Sequence, residues 1–145
     1  KKEGRKASLH RFVSASAVGR YYNLKSSEVG EMISLDVAIP RNEKQWFEKL
    51  PKDINEKIHA NFHYGHLFCH VQHQNYILKK GVNAKKLKEQ MLEMYNKRGA
   101  QYPAEHNFGH EYKAKPNLLN FYRSLDPTNT FNPGIGMSSK LKNWK

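Results

Sequence analysis

The sequence has 145 residues, of which 38% are hydrophobic, and a net charge of +12. This length is sufficient for one globular core, and the single cysteine, Cys69, excludes an internal disulfide framework. A positive excess of this size usually indicates an anionic partner, such as a membrane surface or a nucleic acid. Residues 58–78 contain no Lys, Arg, Asp or Glu, but their many histidines and amides exclude a transmembrane span.

The first residues, Lys1-Lys2-Glu3-Gly4, include neither an initiator Met nor the apolar run of a signal peptide. We therefore expect this chain to be a fragment that starts inside a longer protein. The single cysteine is compatible with a reducing compartment, which favours exposure to the cytoplasm.

The first half of the chain predicts two helices and two strands. Apolar residues at three- and four-residue spacing predict an amphipathic helix over residues 6–22. Alternation through residues 33–39, ended by Pro40, predicts a half-buried strand. Residues 46–54 suggest a short helix broken near Pro51, and residues 67–78 predict a second strand.

The second half begins with the clearest helix in the sequence, over residues 83–98, with Asn83 as its N-cap and Gly99 as its stop. A shorter helix is predicted to begin at Pro116, followed by a tail rich in turn signals. This order of elements predicts an α+β fold in which helices flank an antiparallel sheet. The segment after about residue 103 is expected to form a separate extension.

Histidines are the main candidates for chemistry, since five of the eight lie between His59 and His73. A second candidate is the stretch Glu105–His110, which places an acid beside two histidines and a glycine. His106 could remove a proton there, while Glu105 binds a cation or orients a neighbour. The alternatives are surface or packing histidines and a turn of solvated polar residues.

Three separated segments resemble the flavoenzyme superfamily of vanillyl-alcohol oxidase, glycolate oxidase and the D-2-hydroxy-acid dehydrogenases. Leu35-Asp36-Val37-Ala38-Ile39-Pro40 is similar to an Asp-Val-Ala-Val-Pro strand of that superfamily. Ala104-Glu105-His106-Asn107-Phe108-Gly109 resembles its Glu-His-Gly-x-Gly element. Asp126-Pro127-Thr128-Asn129-Thr130-Phe131-Asn132-Pro133-Gly134 is similar to its closing Asp-Pro…Asn-Pro-Gly run.

Within that superfamily, the segments Tyr64–Gln74 and Tyr102–Asn107 resemble the bacterial quinone-dependent D-lactate dehydrogenases. The resemblance implies that residues 1–102 belong to a cap domain that contacts substrate and membrane. It implies that residues 103–145 return to an FAD-binding domain. FAD would then be bound mainly by an N-terminal domain that is missing here, and the fragment alone would be inactive.

The same resemblance implies an activity and a location. The full-length protein would oxidise D-lactate to pyruvate and pass electrons through FAD to a quinone of the respiratory chain. It would be a peripheral membrane protein on the cytoplasmic face of the bacterial inner membrane.

The resemblance also assigns roles to five residues. Arg11 would bind the substrate carboxylate, for which a guanidinium fork is suited, although a solvated or membrane-facing arginine is the alternative. Asn75 would contact substrate, and His106 would be the catalytic base that takes the hydroxyl proton. Asn132 and Gly134 would contact the flavin cofactor.

A divalent metal site is implied at His66, His73 and Glu105, where related dehydrogenases hold a metal against the substrate oxygens. The sequence departs from that pattern at residues 68–71, which replace a Gly-Asp-Gly-Asn turn, and at Asn107, which replaces a glycine. Positions seven apart in an unbroken strand face opposite sides, so the two histidines require a bend between them.

Two basic segments are candidates for binding anionic lipid headgroups. Residues 1–25 contain seven Lys or Arg against one acidic residue, and residues 79–98 contain seven against two. A solvated helix face is the alternative explanation for the second segment. Its candidate side chains are Lys85, Lys86, Lys88, Lys97 and Arg98.

Two alternative functions stay open. The first is the same superfamily with another 2-hydroxy acid as substrate, such as glycolate or 2-hydroxyglutarate. The second is a non-enzymatic basic module that binds nucleic acid through lysines and interleaved aromatic residues. The sequence contains no recognised nucleic-acid-binding motif, so we expect no nucleic acid partner.

Overall fold

The computed structural model of the chain describes residues 2–45, 48–65, 69–104 and 112–145. Two compact units are present, Lys1–Gln101 and Tyr102–Lys145, which we call unit 1 and unit 2. In chain order the elements of unit 1 are α1 (Lys2–Ala15), α2 (Ala17–Lys25), β1 (Met32–Ala38), α3 (Lys52–Asn55), β2 (Ile58–Gly65), β3 (Val71–Leu78) and α4 (Ala84–Lys97). Unit 2 contains α5 (Pro116–Leu125) and the short 3₁₀ turns Ile135–Met137 and Lys142–Trp144.

Unit 1 is built on a three-stranded antiparallel sheet in the order β1-β3-β2, with β3 in the centre. The predicted α+β class and the antiparallel sheet are therefore confirmed. Strand β2 is not predicted by the sequence pattern, because it is rich in polar residues and does not alternate cleanly. Pairing with residues 72–78 of β3 is what makes this segment a strand, since its own composition does not favour one.

One face of the sheet is covered by α4 and holds most of the core. Asn83 caps this helix as predicted, since its side chain accepts a hydrogen bond of 2.9 Å from the Lys86 backbone N–H. Alternate residues of β1 and β3 meet the apolar stripe of the helix. The buried side chains are Ile33, Leu35, Val37, Tyr76, Leu78, Leu87, Met91 and Tyr95.

A buried hydrogen-bond network joins α4 to the central strand. The Gln74 side-chain oxygen accepts a hydrogen bond of 2.6 Å from the Tyr76 hydroxyl and a second one from the Tyr95 hydroxyl. Burial raises the pKa of both tyrosines, so both hydroxyls stay protonated and donate. Gln74 therefore satisfies two buried donors with one acceptor.

The opposite face of the sheet is partly covered by α2, whose Val18 packs near Ile77 together with Val29 from the segment that follows the helix. The predicted helix over residues 6–22 is in fact two helices that meet at Ser16. Only the second has a core to pack on, whereas α1 leaves Phe12 74% exposed. The break lets the packed helix follow the sheet while α1 stays at the surface.

Arg98 ties the segment before α3 to the end of α4. Its guanidinium forms ion pairs with Glu43, at 3.4 Å, and with Glu48. Its side chain is only 20% exposed. Its charge is thus paired with two carboxylates inside unit 1, which argues against Arg98 as a lipid-binding residue. Of the helix predicted over residues 46–54, the structure has α3, which begins after Pro51, while Trp46 and Phe47 lie outside the described residues.

Unit 2 consists of α5, which begins at Pro116 as predicted, and a tail held by its own polar side chains. Asn129 is buried and donates to the backbone oxygens of Ser139 and Leu141, at 2.8 and 2.9 Å. The Trp144 indole N–H donates to the Asp126 backbone oxygen at 2.7 Å. These side-chain hydrogen bonds close the turn-rich sequence into a defined fold.

We predict that Gln74→Leu lowers the stability of this chain by about 2–4 kcal/mol, because two buried tyrosine hydroxyls lose their acceptor. Adding Tyr76→Phe and Tyr95→Phe to that variant should recover most of the loss, since the two hydroxyls that had lost their acceptor are then removed. Urea unfolding of the single and triple variants measures the difference. A Gln74→Leu variant as stable as the original chain would show that the network does not stabilise the fold.

We also predict that His63 makes the stability of unit 1 sensitive to acid. Its ring packs edge-on against Tyr76, with centroids 5.6 Å apart, and burial lowers its pKa below the ordinary value of 6.5, partly opposed by the Glu48 charge. The unfolded chain therefore binds a proton first, so stability is present above pH 6.5 and is lost as the pH falls from there through the lower folded pKa.

His63→Phe should flatten this dependence between about pH 7 and about pH 5, where one such group changes the folding equilibrium by at most about tenfold per pH unit. The matched control is Asn61→Phe, an exposed position on the same strand that keeps the imidazole. Urea unfolding at several pH values measures both variants. An unchanged slope in His63→Phe would contradict the prediction.

Candidate functional site

The candidate site is a row of polar side chains on the α2-facing side of the sheet. Register places Asp36 opposite His73 and Ser34 opposite Asn75 across the β1–β3 pair. The His73 Nδ1 lies 2.6 Å from an Asp36 carboxylate oxygen, and the Ser34 hydroxyl donates to the Asn75 side-chain oxygen at 2.8 Å. Two cross-strand hydrogen bonds therefore lie side by side on one face.

Strand β2 adds Tyr64 to this row, since register places it opposite His73 on the other edge of β3. The Tyr64 hydroxyl is buried and has no hydrogen-bond partner within the described residues. A buried hydroxyl of this kind is costly unless it is satisfied by a group outside those residues. We call Ser34, Asp36, Tyr64, His73 and Asn75 together the polar face.

The polar face exists because the strands alternate. In β1, Ile33, Leu35 and Val37 point to α4, which directs Ser34 and Asp36 to the other side. Helix α2 covers that other side around Ile77, where Tyr21 packs on Phe62 and hydrogen-bonds His59 at 3.1 Å. Along the rest of the row, Ser34, Tyr64, His73 and Asn75 are half-buried, which is the degree of access a binding site needs.

Of the substrate and metal residues predicted from sequence, the structure brings two together. His73 and Asn75 stand two residues apart on the same face of β3. Arg11 lies on α1 and is exposed. His66, Glu105 and His106 lie outside the described residues, so their predicted roles stay predictions.

The bend that a metal site requires is present in the topology. Strand β2 ends at Gly65 and the antiparallel β3 begins at Val71, so the chain reverses direction between these two residues. The hydrogen bond from His73 Nδ1 to Asp36 is the arrangement that commonly supports a histidine ligand. Within the parts of the chain that the structure describes, no group of three His, Cys, Asp or Glu side chains could hold a metal ion. Two of the three predicted ligands, His66 and Glu105, lie outside those parts.

The predicted cofactor residues lie in the tail of unit 2. Asn132 is exposed. Gly134 has a φ of 90°, and a Cβ there would come within 2.9 Å of the Lys140 side chain. Backbone geometry and packing are therefore sufficient to explain glycine at this position.

Three residues of the polar face were not predicted from the sequence, namely Ser34, Asp36 and Tyr64. One signal was available for Asp36, since a carboxylate in the middle of an apolar strand is unusual unless it has a partner. Period-two alternation also places Ser34 and Asp36 on one side of β1. The identity of their partners depends on register, which no local pattern specified.

Charged and apolar side chains are exposed on two helices of unit 1. On α4, Lys85, Lys86 and Lys97 are exposed, although Lys97 lies 4.0 Å from Glu93. On α1 the exposed apolar side chains are Leu9, Phe12 and Val13. Among the residues that the structure describes, none of the helices has the length and apolar character needed to cross a bilayer.

Three curated relatives align with almost the whole chain. The quinone-dependent D-lactate dehydrogenase of Escherichia coli K12 is 54% identical over 143 residues, which are 99% of this chain and 25% of that protein. The enzyme of the same name from Haemophilus influenzae Rd is 54% identical over 142 residues, and that from Corynebacterium glutamicum is 44% identical over 142 residues. The chain thus spans about a quarter of the length of the curated relatives that it matches.

The family described as "D-lactate dehydrogenase, membrane binding" matches residues 1–144. This match confirms the resemblance on which the sequence analysis relied. The chain therefore belongs to the membrane-binding family of D-lactate dehydrogenase.

Proposed function

We propose that this chain is part of a flavoenzyme that oxidises D-lactate to pyruvate and passes electrons through FAD to a membrane quinone. The observation that carries the proposal is 54% identity to a quinone-dependent D-lactate dehydrogenase across 99% of the chain. Because that relative is about four times as long, we expect turnover to need the whole protein and the isolated chain to be inactive.

The two units would have different roles in the whole enzyme. Residues 1–102 would form the cap over the substrate, and residues 103–145 would return to the FAD-binding domain. Helix α5 has no buried residue, and unit 2 exposes several large apolar side chains, which favours burial against another part of the protein. These exposed side chains are Phe121, Leu125, Phe131, Met137 and Leu141.

Substrate binding would use the polar face together with Arg11. Ser34 donates to the Asn75 side-chain oxygen, which leaves the Asn75 amide N–H groups to donate to a substrate oxygen. The Arg11 guanidinium would pair with the substrate carboxylate through two parallel hydrogen bonds. Together, Arg11 at the carboxylate and Asn75 at a substrate oxygen would orient a 2-hydroxy acid.

Proton removal would be the task of His106. As a neutral imidazole it accepts the hydroxyl proton, while bound FAD would accept the hydride from the same carbon. Asn132, exposed in the tail of unit 2, and Gly134 would contact the cofactor. Most of the cofactor contacts would come from the rest of the protein.

A divalent metal would be held by His66, His73 and Glu105. The hydrogen bond from His73 to Asp36 supports this role, since it holds Nδ1 against the carboxylate and makes Nε2 the nitrogen that would bind the metal. The metal would supply Lewis acidity that favours ionisation of the substrate hydroxyl. The residues of this chain would hold it and orient the substrate against it.

Membrane association would be peripheral, on the cytoplasmic face of the bacterial inner membrane, where the quinone of the respiratory chain is available. The exposed lysines of α4 and the exposed apolar side chains of α1 support this location. Family membership argues against the alternative of a nucleic-acid-binding module. The flavin-reduction experiment described next decides which 2-hydroxy acid is the substrate.

We predict that D-lactate bleaches the flavin absorbance of the full-length protein under anaerobic conditions, faster than L-lactate, glycolate or 2-hydroxyglutarate. His106→Gln should slow this reduction by roughly 10²–10⁴-fold, the usual contribution of a general base. Stopped-flow absorbance measures the rate, and His110→Gln is the matched control from the same segment. Reduction by another 2-hydroxy acid would overturn the substrate, and a protein without flavin would overturn the proposed function.

For the membrane, we predict that Lys85→Gln with Lys86→Gln weakens binding to phosphatidylglycerol vesicles by roughly 30-fold, at about 1 kcal/mol for each lysine. The control, Lys113→Gln with Lys142→Gln, removes the same charge from exposed positions in unit 2. Vesicle co-sedimentation at low and high salt measures both. Binding that is unaffected by the α4 changes, or by salt, would contradict the electrostatic account.

A further inference from the structure

The hydrogen bond between Asp36 and His73 determines which nitrogen of the imidazole can bind a ligand. Its length is 2.6 Å, and the side chains of His73 and Asp36 are only 18% and 11% exposed. An ionised carboxylate can only accept, so the proton of the neutral ring lies on Nδ1. The lone pair is then on Nε2, the nitrogen on the far side of the ring from Asp36.

The fold does not need this pair for its core. Most of the core of unit 1 lies on the opposite face of β1, where Ile33, Leu35 and Val37 are buried. A buried carboxylate and imidazole lose hydration, and apolar side chains of similar size in their places would avoid that cost. A polar pair at such a position is therefore better explained by a role in the site than by a role in stability.

Position supports the same conclusion. Asp36 holds His73 from β1, while Tyr64 lies opposite His73 on β2 and places a buried, unpartnered hydroxyl on the same face, as judged over the described residues. The imidazole is thus fixed from its neighbouring strand, in the middle of a sheet that cannot shift register without moving the core. Rigid elements of this kind hold a ligand more accurately than loops do.

We propose that Asp36 is a positioning residue, which holds His73 in the tautomer and orientation that present Nε2 to a divalent metal. The proposal rests on the metal role suggested for His73 above. Asp36 would not touch metal or substrate itself. It would act by fixing the ring and by making Nε2 a better electron donor.

The test uses the full-length protein and Zn²⁺ alone as the probe, with affinity measured by competition with a chelator. Asp36→Ala should weaken Zn²⁺ binding about 10–100-fold, the usual effect of losing a carboxylate behind a histidine ligand. Asp36→Asn keeps an oxygen that accepts a hydrogen bond from Nδ1, so this variant should lose less Zn²⁺ affinity, about threefold to tenfold. Asp53→Ala removes the same charge from an exposed position on α3 and should bind like the original protein.

Kinetics provide a second measurement. If Asp36 positions the metal ligand, then saturating Zn²⁺ should restore the kcat of Asp36→Ala with D-lactate to within about twofold, whereas a general loss of structure would not be reversed by metal. Near-UV circular dichroism of each variant checks that unit 1 stays folded. Should Asp36→Ala fail to fold, Asp36→Asn decides, and an affinity equal to that of the original protein would overturn the proposal.

His73→Ala separates this proposal from the proposed function. If His73→Ala loses Zn²⁺ binding while Asp36→Ala and Asp36→Asn keep it, the positioning role is overturned and the metal site stands. If His73→Ala binds Zn²⁺ like the original protein, or if the original protein binds none, the metal role of His73 is overturned and the positioning role with it. Flavin reduction by D-lactate would still test the enzyme assignment independently.

Discussion

Strand β3 is paired along both edges, and this pairing forces its side chains onto opposite faces in strict alternation. Gln74 and Tyr76 therefore enter the α4 core, and His73 and Asn75 enter the polar face. A slip of one residue would exchange the two sets, placing an imidazole in the core and removing the acceptor for the buried tyrosines. The same register that stabilises unit 1 thus determines which residues are available for chemistry.

The two faces of the sheet divide stability and function between them. The α4 face is closely packed and mainly apolar, and its polar groups include Gln74, which satisfies two tyrosine hydroxyls, and His63, which packs against Tyr76. The polar face holds a carboxylate, an imidazole, an amide and two hydroxyls, and it is only partly covered by α2. Burying such groups is costly, so the core on the other face must supply the stability that the site does not.

Unit 2 is organised by a different principle. Its helix buries no residue within the described structure, and its tail is held by hydrogen bonds from Asn129 and Trp144 instead of by an apolar core. The Asp-Pro…Asn-Pro-Gly run, which resembles a flavoenzyme element, therefore has a structural role of its own through Asp126, Asn129 and Gly134. A segment with this little internal burial suits the proposed return to a larger domain.

The sequence by itself determined the α+β class, the capped helix α4, the strand β1 and the family, because caps, periodicity and contiguous motifs are local features. Only the tertiary structure decided that β2 is a strand, that the first helix breaks, and that Arg98 is used internally. It alone paired Asp36 with His73, which lie 37 residues apart, and Arg98 with Glu48, which lie 50 apart. Such partners are chosen by strand register and helix packing, and these depend on the burial of the whole core, which no local pattern contains.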